Sequence, residues 1–351
     1  MNNAATTLSD FDKLTDFSNL YKAHRKAKRS KNNKIEVISF EMQLAFNLTR
    51  LREQLLNGTY RISGYYSFYV FEPKKRLIHA LYYQDRVVQH CLCDEILAPV
   101  IDKKLIYDNC ACRIGKGLHF SLDRLTYFLR KFYSKYQNNG YFLKCDIKKF
   151  FDSIDHDVLK EKLKRLNLDN KVLKILHDII DSYEVAPNKG LPMGNQTSQW
   201  FAIYYLDSMD RFLKEAMGFK YYTRYMDDFL IIHHDKSYLQ TALALLKNKL
   251  SQDEKLLLNS KTQIIPIKNG VTFLGFRIIL TETGKILKYV KRQTKTRFKN
   301  KFKFLSKNYT ERKMSYEDVR QVVMSYKGYL LYGNCYKLFS KYLNKLILTR
   351  H

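Results

Sequence analysis

YYTRYMDDFLIIHHDK, residues 221–236, sets two adjacent aspartates, Asp227 and Asp228, between two runs of β-forming residues. The flanking aromatic and β-branched side chains predict a hairpin with both carboxylates at its tip. Asp is a common turn residue, so on local grounds the pair reads first as a turn. The surrounding chain is the reverse of acidic: 62 Lys and Arg stand against 34 Asp and Glu, a net charge of +28. An acidic pair against that background has to be explained by the rest of the sequence.

At 351 residues, 45% of them apolar and 14% aromatic, the chain is too rich in core-forming side chains to be disordered. It is long enough for two or three subdomains. A charge of +28 repels itself unless a polyanion balances it. Nucleic acid fits better than membrane, because there is no long apolar run and no signal peptide; both absences point to a cytoplasmic protein. The 27 tyrosines supply flat faces with polar tips, which suit cores and nucleobases alike. Cys91 with Cys93 and Cys110 with Cys112 are C-x-C pairs, while Cys145 and Cys335 stand alone. None has zinc-site spacing, and reduced core cysteines are expected.

Residues 21–34, YKAHRKAKRSKNNK, hold seven Lys and Arg and no acid, which reads as a solvated tail or a nucleic-acid arm. FEMQLAFNLTRLREQLLNG predicts one helix ending at Gly58, and YYSFYVFEP a strand. RLIHALYYQDRVVQHCLCDEIL reads as extended chain passing into a helix. FSLDRLTYFLRKFY places Leu122, Leu125, Phe128, Leu129 and Phe132 on one helical face, with Ser121 as the expected N-cap. YFLKCDI at 141–147 is a buried strand, and SIDHDVLKEKLKRL starts a helix with Asp155 and Asp157 near its positive end. From Thr281 to His351, 18 basic residues face 4 acidic ones on a helical pattern with interleaved Tyr and Phe. No internal repeat and no Gly/Ser linker separates these parts.

The distant partner of the acidic pair is Asp146, at the end of YFLKCDI and 81 residues upstream. Neighbouring strands can carry such carboxylates to one sheet end. Two divalent cations held about 4 Å apart need clustered oxygen ligands of this kind. They would serve an in-line displacement in which a 3′-hydroxyl expels pyrophosphate.

Four ordered motifs then carry a resemblance: Asp146 with IKKFF, GLPMGNQTSQ at 190–199, YMDD at 225–228 and FLGF at 273–276. In this order they resemble the successive motifs of reverse transcriptases, from about Tyr60 to Asn334. GLPMGNQTSQ, EPKKRLIHALYYQDRVVQH, CRIGKGLH and SYKGYLLYGNCYKL are similar to reverse transcriptases of diversity-generating retroelements. Bacterial antiphage-defence reverse transcriptases lie nearby. The resemblance implies an α+β fold, a right-hand polymerase with an antiparallel palm sheet and a helical thumb. It places a basic N-terminal segment at 1–35, fingers at 36–140, palm at 141–280 with some fingers elements, and a basic thumb at 281–351.

The same resemblance implies the site. Asp146, Asp227 and Asp228 would be catalytic and, with the Ile147 carbonyl, would bind two Mg2+ ions, with Mn2+ as a substitute. Phe151 falls where the family places a ring against the sugar, excluding a ribose 2′-OH. Lys75 and Arg76 would meet the triphosphate, or be a solvated pair between strands. Lys261 would be a general acid near the departing pyrophosphate. With Met193 and Gln199 these make up the expected nucleotide-binding set. Met193 departs from the retroviral pattern, which has Gln there; it either loosens policing of the nascent pair or merely packs.

Expected partners are dNTPs, a structured non-coding template RNA, the RNA/cDNA duplex and a small basic accessory protein oligomer, with no membrane. The expected setting is the cytoplasm of a bacterium, or a phage gene. The competing class is a non-catalytic RNA-binding protein on a polymerase scaffold, which predicts a missing aspartate; all three are present. Other candidates read blandly: RIGKGL lacks the Walker spacing, His233 and His234 end a strand, and Asp152 and Asp155 are turn and helix-cap residues.

Overall fold

The computed structural model of the protein describes residues 8–71 and 75–349. Glu72, Pro73 and Lys74 of the quoted EPKKR run therefore lie outside the described residues. Helices predominate, and every strand pair among the described residues is antiparallel. The chain falls into two compact units. One comprises Met1–Ile114, Asp146–Gly218 and Leu243–Ser260; the other comprises Gly115–Cys145, Phe219–Ala242 and Lys261–His351. These units cut across the three-part division read from the sequence.

In the first unit the basic stretch begins on a packed helix, with Lys22, Arg25, Lys26, Arg29 and Lys34 exposed. Its first half belongs to the helix Phe17–Ala27, which buries Leu20, Ala23, His24 and Ala27 at helical spacing. Lys26 and Lys28 form ion pairs with Asp94 and Glu41. The single helix expected to end at Gly58 is two, Ile35–Met42 and Leu44–Leu56. Gln43 leaves helical geometry between them (φ −126°, ψ 41°), and the Asn47 side-chain Nδ2 donates to the freed Phe40 carbonyl at 3.0 Å. Strands β1 (Tyr65–Val70) and β2 (Arg76–Leu81) make a hairpin whose register runs from Tyr65↔Leu81 to Val70↔Arg76. The helix Tyr83–Leu92 follows at once. At the centre lies the helix Gln196–Tyr205, buried on all sides from Trp200 to Tyr205. Its apolar surface has no solvent face to explain, only neighbours.

The second unit is built on a four-stranded sheet. It is formed by β3 (Tyr141–Cys145), β4 (Tyr222–Tyr225), β5 (Asp228–His233) and β6 (Gln263–Pro266), in the order β4-β5-β3-β6. A smaller sheet contains β7 (Val271–Phe273), β8 (Phe276–Leu280) and β9 (Ile286–Val290). The helix Leu118–Tyr136 buries the five apolar residues expected of it. Its start differs: Gly117, at φ 143°, is the N-cap, and Ser121 lies inside the helix facing Thr223. Glycine takes that backbone angle without the Cβ penalty.

Past β9 come the helices Arg292–Thr310, Tyr316–Leu331 and Tyr336–Leu343. The first buries Thr294, Phe298, Phe302 and Leu305 and exposes Lys295, Lys299 and Lys303 between them. These phenylalanines join Leu122, Phe132, Phe142, Phe273 and Phe276 in one core, which is why the C-terminal helices belong with the sheets. The six cysteines are free thiols, five buried and Cys112 half-buried. Among the described residues no helix is long and apolar enough to cross a membrane.

Candidate active site

Strands β4 and β5 form the expected hairpin, but the two aspartates differ in place. Tyr225 pairs with Asp228, so Met226 and Asp227 make the two-residue turn and Asp228 opens β5. Met226 carries φ 55°, the left-handed geometry such tight hairpin turns require. The turn has an internal support. Arg224, with no solvent exposure, donates from its guanidinium to the Met226 carbonyl at 2.9 Å.

The third aspartate follows β3 directly in the chain. Cys145, the last residue of β3, pairs with Phe229, the residue after Asp228. Asp146 is bonded directly to Cys145, so it leaves β3 at the end where Asp228 enters β5. All three aspartates are half-buried. Lys144, on β3, lies 3.7 Å from Asp228 and donates to the Thr272 carbonyl at 2.8 Å. It supplies a local cation beside the acidic pair. Among the described residues no three His, Cys, Asp or Glu side chains converge into a ready-made metal site. The donor chemistry of the aspartates is nevertheless that of a hard cation, all oxygen and all acidic.

Beyond Asp146 the chain is stitched on both sides. The amide of Asn259 donates to the Asp146 carbonyl at 2.7 Å, and that of Lys148 to the Leu257 carbonyl at 2.9 Å. This bridge pairs Ile147 with Leu258 and leaves the Ile147 carbonyl out of its bonding. Lys149, at φ 45°, then turns the chain into the short helix Phe150–Ser153. Phe151 is half-buried there, and its carbonyl accepts from the Leu191 amide at 2.8 Å. Gly190 donates to the Ile154 carbonyl at 2.9 Å, and its own carbonyl meets the His156 imidazole at 2.8 Å. The segment carrying Phe151 is thereby tied to the loop carrying the half-buried Met193.

The remaining residues are held less firmly. Lys75 and Arg76 are exposed on the β1–β2 hairpin, with the Lys75 ammonium 4.3 Å from the centre of the Tyr69 ring. Gln199 is exposed on the central helix, and its side-chain carbonyl accepts from the Cys112 thiol at 3.4 Å. Lys261 is exposed just before β6. Asp155 is a helix cap, as read: it accepts from the Val158 amide at 3.2 Å and pairs with Lys255 at 2.9 Å. Asp152 lies in the short helix with Phe151. His233 is half-buried and His234 exposed, the latter stacked on Tyr136. Arg224 and Lys144 escaped the sequence reading, although both lie within the motifs that it used. Charged residues inside β-runs, two and three positions from an acidic residue, were the available signal.

An all-antiparallel sheet with an acidic pair at one hairpin, packed against helices, has the α+β architecture of a polymerase. The chain belongs to the reverse transcriptase (RNA-dependent DNA polymerase) family, which it matches over residues 72–278, more than half its length. That family synthesises DNA on RNA by nucleotidyl transfer and uses divalent metal ions such as Mg2+. Among curated proteins the chain is similar to protein YkfC of Escherichia coli (strain K12). The two are 23% identical over 282 residues, covering 68% of this chain and 73% of that protein.

Among solved structures it is similar to an apo telomerase from Candida tropicalis truncated from its C-terminal domain. The TM-score is 0.50 at 18% identity, covering 65% of this chain and 55% of that one. It is also similar to the telomerase from Candida albicans in complex with a fragment of telomeric RNA, with a TM-score of 0.50 at 16% identity. That match covers 80% of this chain and 59% of the telomerase. The chain thus spans little more than half the length of these telomerase chains, and at such identities the likeness is one of fold.

Proposed function

We propose that the protein is an RNA-directed DNA polymerase that copies a structured non-coding RNA into cDNA in a diversity-generating retroelement. The observation that carries this reading is the register of one sheet. Asp146 leaves β3 at the end where Asp228 enters β5, with Asp227 in the adjoining turn. Asp146, Asp227 and Asp228 would hold the two Mg2+ ions, helped by the Ile147 carbonyl that the Leu258 bridge does not use. When bound, the ions supply Lewis-acid stabilisation of charge on the reacting phosphate.

The remaining roles fall to side chains. Lys75 and Arg76 would meet the triphosphate as exposed cations, and the fork of Arg suits phosphate oxygens. Phe151 would close the space beside the sugar C2′, selecting deoxynucleotides. Met193 would touch the nascent pair through apolar contact alone. Gln199 would complete the nucleotide-binding set, and Lys261 would pass a proton to the departing pyrophosphate. Fingers, palm and thumb functions are assigned to 36–140, 141–280 and 281–351. The last carries net +14 and suits a phosphate backbone.

The direct test is primer extension on a defined RNA with the four dNTPs and Mg2+. The reading requires full-length DNA that resists ribonuclease, and a lack of extension on any RNA refutes it. Sequencing the RNA that co-purifies from the native host, and its cDNA, tests the retroelement role. Substitutions concentrated at template adenines support that role; faithful copies contradict it.

A further inference from the structure

One face of the helix Leu118–Tyr136, in the second unit, carries none of the roles above. The helix buries Leu122, Leu125, Phe128, Leu129 and Phe132. It exposes His119, Asp123, Tyr127 and Arg130, which recur at helical spacing and so form one stripe. Lys131 and Lys135 run beside that stripe and are also exposed. From Lys116 to Lys135 five basic residues stand against one acid, Asp123. That carboxylate accepts from the Tyr332 hydroxyl.

Flat rings are interleaved with these cations. Tyr127 is 46% exposed, with the Arg124 guanidinium 5.0 Å and the Lys131 ammonium 5.9 Å from its ring centre. At the other end of the stripe His119 and Tyr332 are stacked, their centres 4.1 Å apart and their planes 6° from parallel. The Lys288 ammonium lies 4.2 Å from the Tyr332 ring centre. Burial holds the Lys288 amine below its ordinary pKa; Asp123 opposes this, and the charge of Arg130 adds to it. An anion set among such crowded cations relieves their repulsion. All of these residues belong to the second unit, so the face is built within one compact body.

We propose that this helix face binds an unpaired segment of RNA. The proposal rests on the polymerase reading and adds to it a site where RNA is held rather than copied. Cations interleaved with exposed rings suit a single strand, whose phosphates meet the cations while its unstacked bases lie on the rings. The Arg124 guanidinium is itself a flat surface for a base. A duplex brings the same phosphates but keeps its bases stacked inside. An acidic peptide brings charge and no flat bases. From His119 to Lys135 the face runs about 24 Å at 1.5 Å per residue, the length of about seven stacked nucleotides.

The test is fluorescence anisotropy with three labelled probes: octauridine, a fully paired RNA stem and octaglutamate. Tyr127→Ala, at an exposed position, should weaken octauridine about tenfold and the paired stem less than about twofold. Tyr127→Trp should restore octauridine binding. Arg130→Ala with Lys131→Ala and Lys135→Ala should lower the salt-dependence slope for octauridine by about two, at about 0.7 for each lost phosphate contact. Lys164→Ala with Lys174→Ala and Lys247→Ala removes the same charge from exposed positions of the first unit and should leave that slope unchanged. An unchanged octauridine affinity in Tyr127→Ala overturns the proposal. So does an equal fall in slope in both triple variants, or octaglutamate binding as tightly as octauridine. If Tyr127→Ala misfolds, the comparison of slopes still decides. Primer extension by the wild-type preparation reports separately on the polymerase reading. Extension with no effect of Tyr127→Ala on octauridine sinks only this surface; such an effect without extension sinks only the polymerase.

Discussion

Arg224, wholly buried in β4, donates to the carbonyl of Met226, the turn residue immediately before Asp227. A left-handed Met at that turn is unfavourable for a side chain with a Cβ and persists only where its surroundings enforce it. The buried guanidinium is the enforcing group. Arg224→Leu should cost about 1.5–3 kcal/mol of stability through the lost charged hydrogen bond. It should also lower kcat for DNA synthesis more than it raises the KM for dNTPs, because the turn loosens without losing a ligand. Arg224→Lys should restore stability in part and kcat less. Equal kcat in all three proteins contradicts this role.

Phe151→Ala should admit ribonucleotides. Its carbonyl is fixed by the Leu191 amide at 2.8 Å, so the backbone should stay in place when the ring is removed. The ratio of ribonucleotide to deoxynucleotide incorporation should rise roughly tenfold or more, the scale on which pocket contacts discriminate. Competition assays with labelled nucleotides measure it. An unchanged ratio places the sugar gate elsewhere.

Much of this architecture is legible in the residues themselves. The YMDD hairpin follows from β-formers on either side of a turn, and the face of the helix Leu118–Tyr136 follows from its apolar spacing. What escaped depends on partners distant in sequence. Helix-period counting does not see Gln43, because the break is stabilised by Asn47 reaching back to the Phe40 carbonyl. The ion pair that ties Lys26 of the basic stretch to Asp94 is invisible locally, because Asp94 is 68 residues away. Ser121 resembles a cap but is buried, and Gly117 takes the role by backbone angle alone. At the site, the aspartates are readable from motif order. Arg224 and Lys144 act through bonds that no motif encodes.

Met193→Gln should lower misincorporation on a defined RNA template. A thioether discriminates by shape only, and one added polar contact is worth on the order of 1 kcal/mol, a several-fold change in selection. Adenine positions should respond most if the retroelement reading holds. Sequencing products made at identical nucleotide concentrations measures this. Identical error spectra would show that Met193 only packs.

Mild acid should destabilise the fold through its buried imidazoles. His24, His90, His177 and His233 are all held below the usual 6.5, with burial the largest cause in each. Because the unfolded chain takes up these protons more readily, the stability they contribute is intact above about pH 6.5. It is lost as pH falls from there through the folded values. The thermal midpoint should therefore drop between pH 7.5 and 5.5. His24→Gln should make the dependence shallower, since His24 is wholly buried against Tyr83 at 3.0 Å and Glu41 at 3.3 Å. A midpoint that holds or rises at pH 5.5 contradicts the assignment.

The central claim is that the acidic sheet end performs the chemistry. Changing Asp227 and Asp228 together to Asn preserves their size and removes two negative charges, which cannot weaken attraction to phosphate. Primer extension and RNA gel-shift should be run on one preparation of wild type and the double variant. The account predicts that DNA synthesis vanishes while RNA binding is retained or tightened. Undiminished extension by the double variant would contradict it.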